Sequence, residues 1–354
     1  MKKVRIGLIG LGGICNGAHI PGYLQLDNAE ITAVCDINPE KLAKVGDKLG
    51  IPADHRFTDY NDLIACPDVD AVDIATWNSM HVPIAKAAAL AGKHFSVEKP
   101  VGMNYAETLD LARTAEQMGV QSFVCLSWRY RAHTRYVKYL IDQGTVGKLY
   151  HIYVRCIKNS GLWEGRKREW RFDKSRAASG VLGDLGSHMI DIIRFWGEEF
   201  KDVYANTGIY ITHRPTEETG EIVPVTTDDW CNMNCVLESG TACTIEVSRC
   251  ATTLKDLMSF ELYGEKGRLA FTNMAGQFTI EFTDAKTNEK QILTPPPEFE
   301  AIQSGSYVNL ILGIEDEYTA RINHGLECQA VIDAAIRSSE QHRPVSIAAI
   351  KAGA

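Results

Sequence analysis

Asp184 and His188 stand four residues apart in "SGVLGDLGSHMIDIIRFWG", residues 179–197, at the start of an apolar run. On a helix that spacing puts both side chains on one face. An imidazole titrates near neutral pH, so His188 is the residue type to accept a proton, and a carboxylate beside it can fix its tautomer. The same stretch equally describes a helix with Asp184 as its cap and His188 as a packing histidine. Two other groups bear on the choice. Lys99 closes the apolar run of "HFSVEKP", where a cation can stabilise a developing alkoxide or share its proton. "GLGGIC", residues 10–15, follows the apolar "VRIGLI" and offers the first two glycines of a phosphate-binding turn.

In such a turn Gly10 permits the sharp bend and Gly12 lets a pyrophosphate approach the backbone. The third position, Cys15, needs only a small side chain for helix–strand packing. A helix starting near Gly13 presents unpaired N–H groups and a positive dipole end to phosphates. Asp36 ends the second strand-like run, 21 residues after Cys15, where a carboxylate can accept hydrogen bonds from both adenosine ribose hydroxyls. Its charge repels a 2′-phosphate. Ile37 and Asn38 follow without an arginine to offset that, so NAD is expected rather than NADP.

The elements that position these groups are readable from periodicity. "VRIGLIG", "AEITAVCD", "VDAVDIAT", "HFSVEKP" and "VQSFVCL" are strand-like, with helical "NPEKLAKVGDKLG", "HVPIAKAAALAGK" and "YAETLDLARTAEQMG" between them. This alternation predicts an α/β doubly wound parallel sheet over residues 1–126. From about residue 150 the texture becomes a series of strand-like runs: "GKLYHIYVRCI", "FKDVYANTGIYI", "WCNMNCVLE", "ACTIEVSRC", "SFELYGEKGRLAF" and "QFTIEFTDAKTNEKQILT". Helices are expected at 188–196 and over "LECQAVIDAAIRSSEQ". Residues 127–354 therefore read as an α+β domain on a large, mostly antiparallel sheet.

Composition narrows the function classes. A net charge of −8, with 45% hydrophobic and 23% charged residues, fits a globular protein and argues against nucleic-acid or membrane partners. The N-terminal "MKKVRIGLIGLGG" lacks the uninterrupted apolar core and small-residue cleavage site of a signal peptide, so a cytoplasmic location is expected. The ten cysteines form no C-x-x-C pair; Cys231, Cys235 and Cys243 fall on the apolar phase of period-two runs. They act as small hydrophobes, and no metal is expected.

With these motifs in hand, the chain resembles the glucose–fructose oxidoreductase, inositol dehydrogenase and rhizopine-catabolism (Gfo/Idh/MocA) family of NAD(P)-dependent oxidoreductases. The resemblance runs from Val4 to about Ile347. It is carried by "GLGGIC", "CDINPEK", "ATWNSMHVPIAKAAALAGKHFSVEKPVG", "GVLGDLGSHMID" and "RPVSI", in that order. It implies a Rossmann domain followed by an open-faced sheet domain, and a homodimer or homotetramer. It implies an active-site lysine at Lys99, and an aspartate and histidine beside the substrate hydroxyl at Asp184 and His188. Around the cofactor it implies Gly10, Gly12, Gly13, Ile14, Asp36, Ile37, Thr76, Trp77, Asn78, His81, Glu98, Lys99 and Arg129. The chain departs from the family at Trp77, where many members have proline, and in "GVLG", where the family has a glycine triplet.

The substrate expected is a small carbohydrate or cyclic polyol, bound by Lys99, Arg129, Asp184 and His188. Trp163, Trp170 and Arg171, with Arg168, lie in "GLWEGRKREWRFD" and suit stacking on a sugar ring. A packed surface loop or a subunit contact describes them somewhat better. Net oxidation of a ring hydroxyl by NAD is the expected activity. Redox-neutral glycoside cleavage through transient oxidation shares its early residues and is the alternative. Non-catalytic sensing of dinucleotide and sugar is disfavoured, because relatives of that kind lose the lysine or histidine that this chain keeps at Lys99 and His188.

Overall fold

The continuous apolar run Val4–Ile9 forms strand β1, covered on both faces as a central parallel strand must be. The computed structural model describes residues 3–252, 256–314 and 316–353. Beside β1 lie β2 (Ala29–Cys35), β3 (Arg56–Phe57), β4 (Ala71–Ile74), β5 (His94–Val97) and β6 (Ser122–Val124). The order β3-β2-β1-β4-β5-β6, parallel throughout, is the doubly wound arrangement. The helix Pro39–Leu49 starts where Asn38 accepts from the amides of Glu40 and Lys41, and stops at Gly50 with φ of 67°. Only glycine takes that left-handed value cheaply. β3, two residues long, is too short to leave a periodic signal.

The chain divides into two compact units, Met1–Leu126 with Ala301–Leu326, and Ser127–Glu300 with Glu327–Ala354. The stretch 301–326, which lies in the expected second domain, thus joins the first unit. There the buried Tyr307 hydroxyl donates to the Val72 carbonyl on β4.

The second unit is built on β7 (Leu149–Lys158), β8 (Phe200–Gly208), the short pair β9 (His213–Pro215) and β10 (Ile222–Pro224), β11 (Trp230–Leu237), β12 (Ala242–Ser248), β13 (Asp256–Gly264), β14 (Gly267–Met274), β15 (Gln277–Asp284), β16 (Lys290–Leu293) and β17 (Val345–Ser346). Nine of these form one sheet in the order β16-β15-β14-β13-β7-β12-β11-β8-β17, with only β7 and β12 paired parallel. The runs "SFELYGEKGRLAF" and "QFTIEFTDAKTNEKQILT" each resolve into two strands joined by a tight turn. On β11, Cys231, Met233, Cys235 and Leu237 are buried while the residues between them are not. Period-two alternation therefore sets the face. The opposite face exposes Tyr153, Val236 and Tyr263. Among the described residues no helix is long and apolar enough to cross a membrane.

Candidate active site

The glycine turn occupies the carboxyl edge of the first sheet. Gly10 has φ of 90°, and a Cβ there would lie 2.5 Å from the Ala75 carbonyl oxygen, so only glycine fits. At Gly12 and Gly13 a Cβ would meet no protein atom within 4 Å. That open backbone is what a pyrophosphate requires. Ile14 and Ile37 stand exposed beside it, and Cys15 packs inward. The turn is held by two residues. The Leu11 amide donates to Asp36 Oδ2 at 2.8 Å, and Asn16 Nδ2 donates to the carbonyls of Leu11 (2.8 Å) and Gly12 (3.0 Å). Asn16 carries no signal in the glycine motif, because its bonds run to backbone. The helix following Gly12 opens as a π-helical turn, Cys15–His19, a form frequent at functional sites.

Lys99 follows β5 at the same edge, partly exposed, and the bond to Pro100 is cis. Glu98 folds back so that Oε2 accepts the Lys99 amide at 3.2 Å, while Oε1 faces His19 Nε2 at 3.1 Å. His81 is buried, and burial holds its ring below the ordinary imidazole range. The neutral ring donates through Nδ1 to the Pro100 carbonyl at 2.9 Å, with the Thr76 carbonyl 3.3 Å from Nε2. The Nδ1 bond braces the turn at Pro100 from behind. Asn78 begins the helix Asn78–Leu90 as its first residue, and the N-cap, Trp77, makes no side-chain capping bond. That helix starts three residues before "HVPIAKAAALAGK".

In the second unit, Asp184 lies within a π-helical turn, Leu182–Gly186, that runs directly into the helix Ser187–Phe195. The amides of Gly180 and Leu182 at its start are taken by Asp228, whose carboxylate reaches Leu182 at 2.9 Å. The capping duty that the sequence offered to Asp184 therefore belongs to a residue far along the chain. Burial pushes the Asp228 pKa up, and these amide bonds pull against it. His188 is 9% exposed, with the Trp128 ring edge-on at 6.4 Å.

Arg129, expected near the cofactor, is tied to a carboxylate of its own unit. It is 2% exposed, grips Asp191 with Nε and Nη2 at 2.6–2.9 Å, and lies over the Phe195 ring. A guanidinium so enclosed holds the helix Ser187–Phe195 in place. The loop 160–173 is anchored as well. Arg168 donates to the Pro224 carbonyl and pairs with Asp173, and Phe172 is buried under Arg166, Arg214 and Arg249. Arg171 stacks on Trp170 at 4.4 Å and Arg166 lies over Trp163 at 5.3 Å, with Trp163 still 59% exposed. The Trp163 indole N–H donates to Asn159 Oδ1 at 3.3 Å.

Comparison with known proteins gives two matches to family models: "Oxidoreductase family, NAD-binding Rossmann fold" over residues 4–126, and "GFO/IDH/MocA C-terminal domain" over residues 134–270. The levoglucosan dehydrogenase of Pseudarthrobacter phenanthrenivorans is 28% identical, over 77% of this chain and 74% of that protein. The myo-inositol 2-dehydrogenase of Thermotoga maritima is 27% identical, over 79% and 78%. A solved levoglucosan dehydrogenase, in complex with NADH and L-sorbose, superposes with a TM-score of 0.89 at 24% identity, covering 99% of this chain and 100% of that one.

Proposed function

Because the chain belongs to the GFO/IDH/MocA family of NAD-binding oxidoreductases, we propose that it is an NAD-dependent carbohydrate dehydrogenase. Its substrate is a secondary ring hydroxyl of a sugar, glycoside or cyclic polyol. The observation that carries this reading is the place of Lys99, at the carboxyl edge that also holds the Gly10 turn and Asp36. In open α/β sheets, ligands bind at that edge. Relatives named for levoglucosan and myo-inositol support a cyclic substrate.

NAD, when bound, accepts the hydride. The chain must hold that cofactor and manage the hydroxyl proton. The open backbone at Gly12 and Gly13 would receive the pyrophosphate, and Asp36 would accept from the adenosine ribose. Lys99 stabilises the oxygen as its negative charge develops, and His188 takes the proton. Asp184 orients the imidazole or bonds the hydroxyl. The exposed aromatic face of the nine-stranded sheet suits a homodimer or homotetramer, which light scattering would measure.

The test is a panel of sugars, inositols, uronates and glycosides with NAD and NADP, following NADH fluorescence and product mass. NADH is expected from at least one ring alcohol, with NAD preferred. Lys99→Met and His188→Asn should each lower turnover by about 10²–10⁴ while NADH still binds. Normal turnover in both variants would sink the assignment. Release of an aglycone without net NADH would move the function to redox-neutral glycoside cleavage.

A further inference from the structure

Behind Lys99 lies a buried polar chain that the reaction above does not use. His19, at the end of the π-helical turn, is 2% exposed, and Asp73, on the central strand β4, is 3% exposed. The His19 ring spans two carboxylates, with Nδ1 at 2.7 Å from Asp73 Oδ1 and Nε2 at 3.1 Å from Glu98 Oε1. The other Asp73 oxygen accepts from the Tyr23 hydroxyl, and the other Glu98 oxygen accepts from the Lys99 amide. An unbroken line of bonds thus runs from Tyr23 through Asp73, His19 and Glu98 to the backbone of Lys99.

We propose that His19 is a positioning residue: as a bridge between Asp73 and Glu98 it fixes the carboxylate that holds the Lys99 amide, and so the direction of the lysine. This rests on the assignment of Lys99 to the reacting hydroxyl. Two features support it. A neutral imidazole has one N–H and cannot donate to two carboxylates, so with both carboxylates ionised the geometry calls for the doubly protonated ring. Burial pushes the ring's pKa down, but Asp73 and then Glu98 push it up further, and it sits well above the ordinary imidazole range. Buried ion pairs, moreover, seldom stabilise a fold more than apolar side chains of the same volume would. A charged pair set into a parallel sheet is thus better accounted for by what it holds than by stability.

The groups around the ring agree with this charge state. Asp73 comes from β4, Glu98 from the end of β5, and the Cys125 thiol from beyond β6; one ligand atom from each of His19, Glu98 and Cys125 lies within 4.8 Å of the others. Burial raises the Cys125 pKa far up, so it stays a neutral thiol. Burial does the same to the hydroxyls of Tyr23 and Tyr307, with Asp73 adding to it. Both ring nitrogens are spent on carboxylates, which leaves no lone pair for a metal and makes hydrogen bonding the role of this cluster.

The experiment compares wild-type enzyme with His19→Gln, Tyr23→Phe and Lys99→Met, reading kcat, KM for the oxidised carbohydrate, NADH affinity by fluorescence, and Tm. In H19Q, kcat is expected to fall by about tenfold to a hundredfold, the cost of misplacing a reacting group by a fraction of an ångström to one ångström. KM and NADH affinity should stay within about threefold of wild type, as expected where a loss is confined to the reacting step. Y23F, which loosens the far end of the chain, should lower Tm and leave kcat near wild type. A drop in Tm alone in H19Q, or a kcat loss in Y23F that tracks Tm as it does in H19Q, overturns the proposal. If K99M keeps full turnover, the assignment of the lysine fails instead, and the two failures are separable. Should H19Q not fold, nitrogen NMR of labelled histidine in wild-type enzyme decides: a His19 ring with one proton at pH 8 overturns the proposal, and one with two supports it.

Discussion

Asp228 holds the start of the turn that carries Asp184, through bonds to Gly180 and Leu182 that span 48 and 46 residues of chain. A helix start buried in a protein needs such a partner, because its first amides have none within the helix. Asp228→Ala leaves two amides bare, at a cost of about 1–3 kcal/mol each. Urea unfolding should show that loss. Turnover should fall further than stability predicts, while NADH affinity, which draws on the first unit, holds. Gly180→Ala should act alike, since its Cβ would fall 1.9 Å from the Asp228 carbonyl oxygen. Unchanged turnover in both variants would separate this turn from the chemistry.

The Arg129–Asp191 pair predicts a different signature. Both side chains are almost wholly buried, and removing one partner strands the other's charge, typically at about 3–5 kcal/mol. Arg129→Met should therefore lower Tm sharply, with NADH affinity of the folded protein unchanged. The double variant Arg129→Met with Asp191→Leu should recover much of the loss, because no charge is then left unpaired. A selective loss of NADH binding in R129M at unaltered Tm would assign the arginine to the cofactor.

These two relationships mark where sequence stops informing. The glycine turn, Asp36 and the strand-end lysine are local: each is a residue type at a fixed offset from an apolar run, so periodicity places it. The alternation that buries Cys231 and Cys235 is equally local. The partner of Gly180 lies 48 residues on, and nothing in "TTDDW" distinguishes Asp228 from its neighbour as a helix cap. Arg129 and Asp191 are 62 residues apart, so nothing local marks them as an ion pair. The π-helical turns at 15–19 and 182–186 left no mark either, because one extra residue in a turn does not disturb a short apolar pattern.

Asp36 offers a test of cofactor choice. Its carboxylate already accepts the Leu11 amide through Oδ2 and the Asn38 amide through Oδ1, so it shapes the glycine turn as well as offering lone pairs to a ribose. Asp36→Ala removes both functions. NADH affinity should fall by about tenfold or more, the worth of a lost charge-assisted hydrogen bond or two. NADPH should lose less, because the repulsion of its 2′-phosphate goes too. Fluorescence titration of both nucleotides measures the ratio. An equal loss for both would assign Asp36 to the turn alone.

His19 gives the pH dependence of stability a sign. Burial lowers its pKa, but Asp73 and Glu98 raise it more, so the folded value lies well above the 6.5 of a free imidazole. Below about pH 6.5 the ring is protonated in both folded and unfolded chains, and its bonds to the two carboxylates contribute in full. As pH rises past 6.5 the unfolded chain releases a proton that the folded chain retains, and the contribution shrinks until the folded value is passed. The difference in unfolding free energy between wild type and His19→Gln should therefore be greatest at pH 6 and decline steadily toward pH 9 and beyond. His55, raised by Asp54 and Asp68, and His81 and His94, both lowered by burial, add slopes of their own. The slopes of His55 and His94 occur in both proteins and cancel in the difference. His81 feels the charge of Glu98, so the comparison rests on the trend from pH 7 upward, where its lowered pKa leaves it neutral. Urea midpoints at pH 6, 7, 8 and 9 suffice, and a difference that does not change with pH would mean that the buried ring is neutral and the two carboxylates share their charge in some other way.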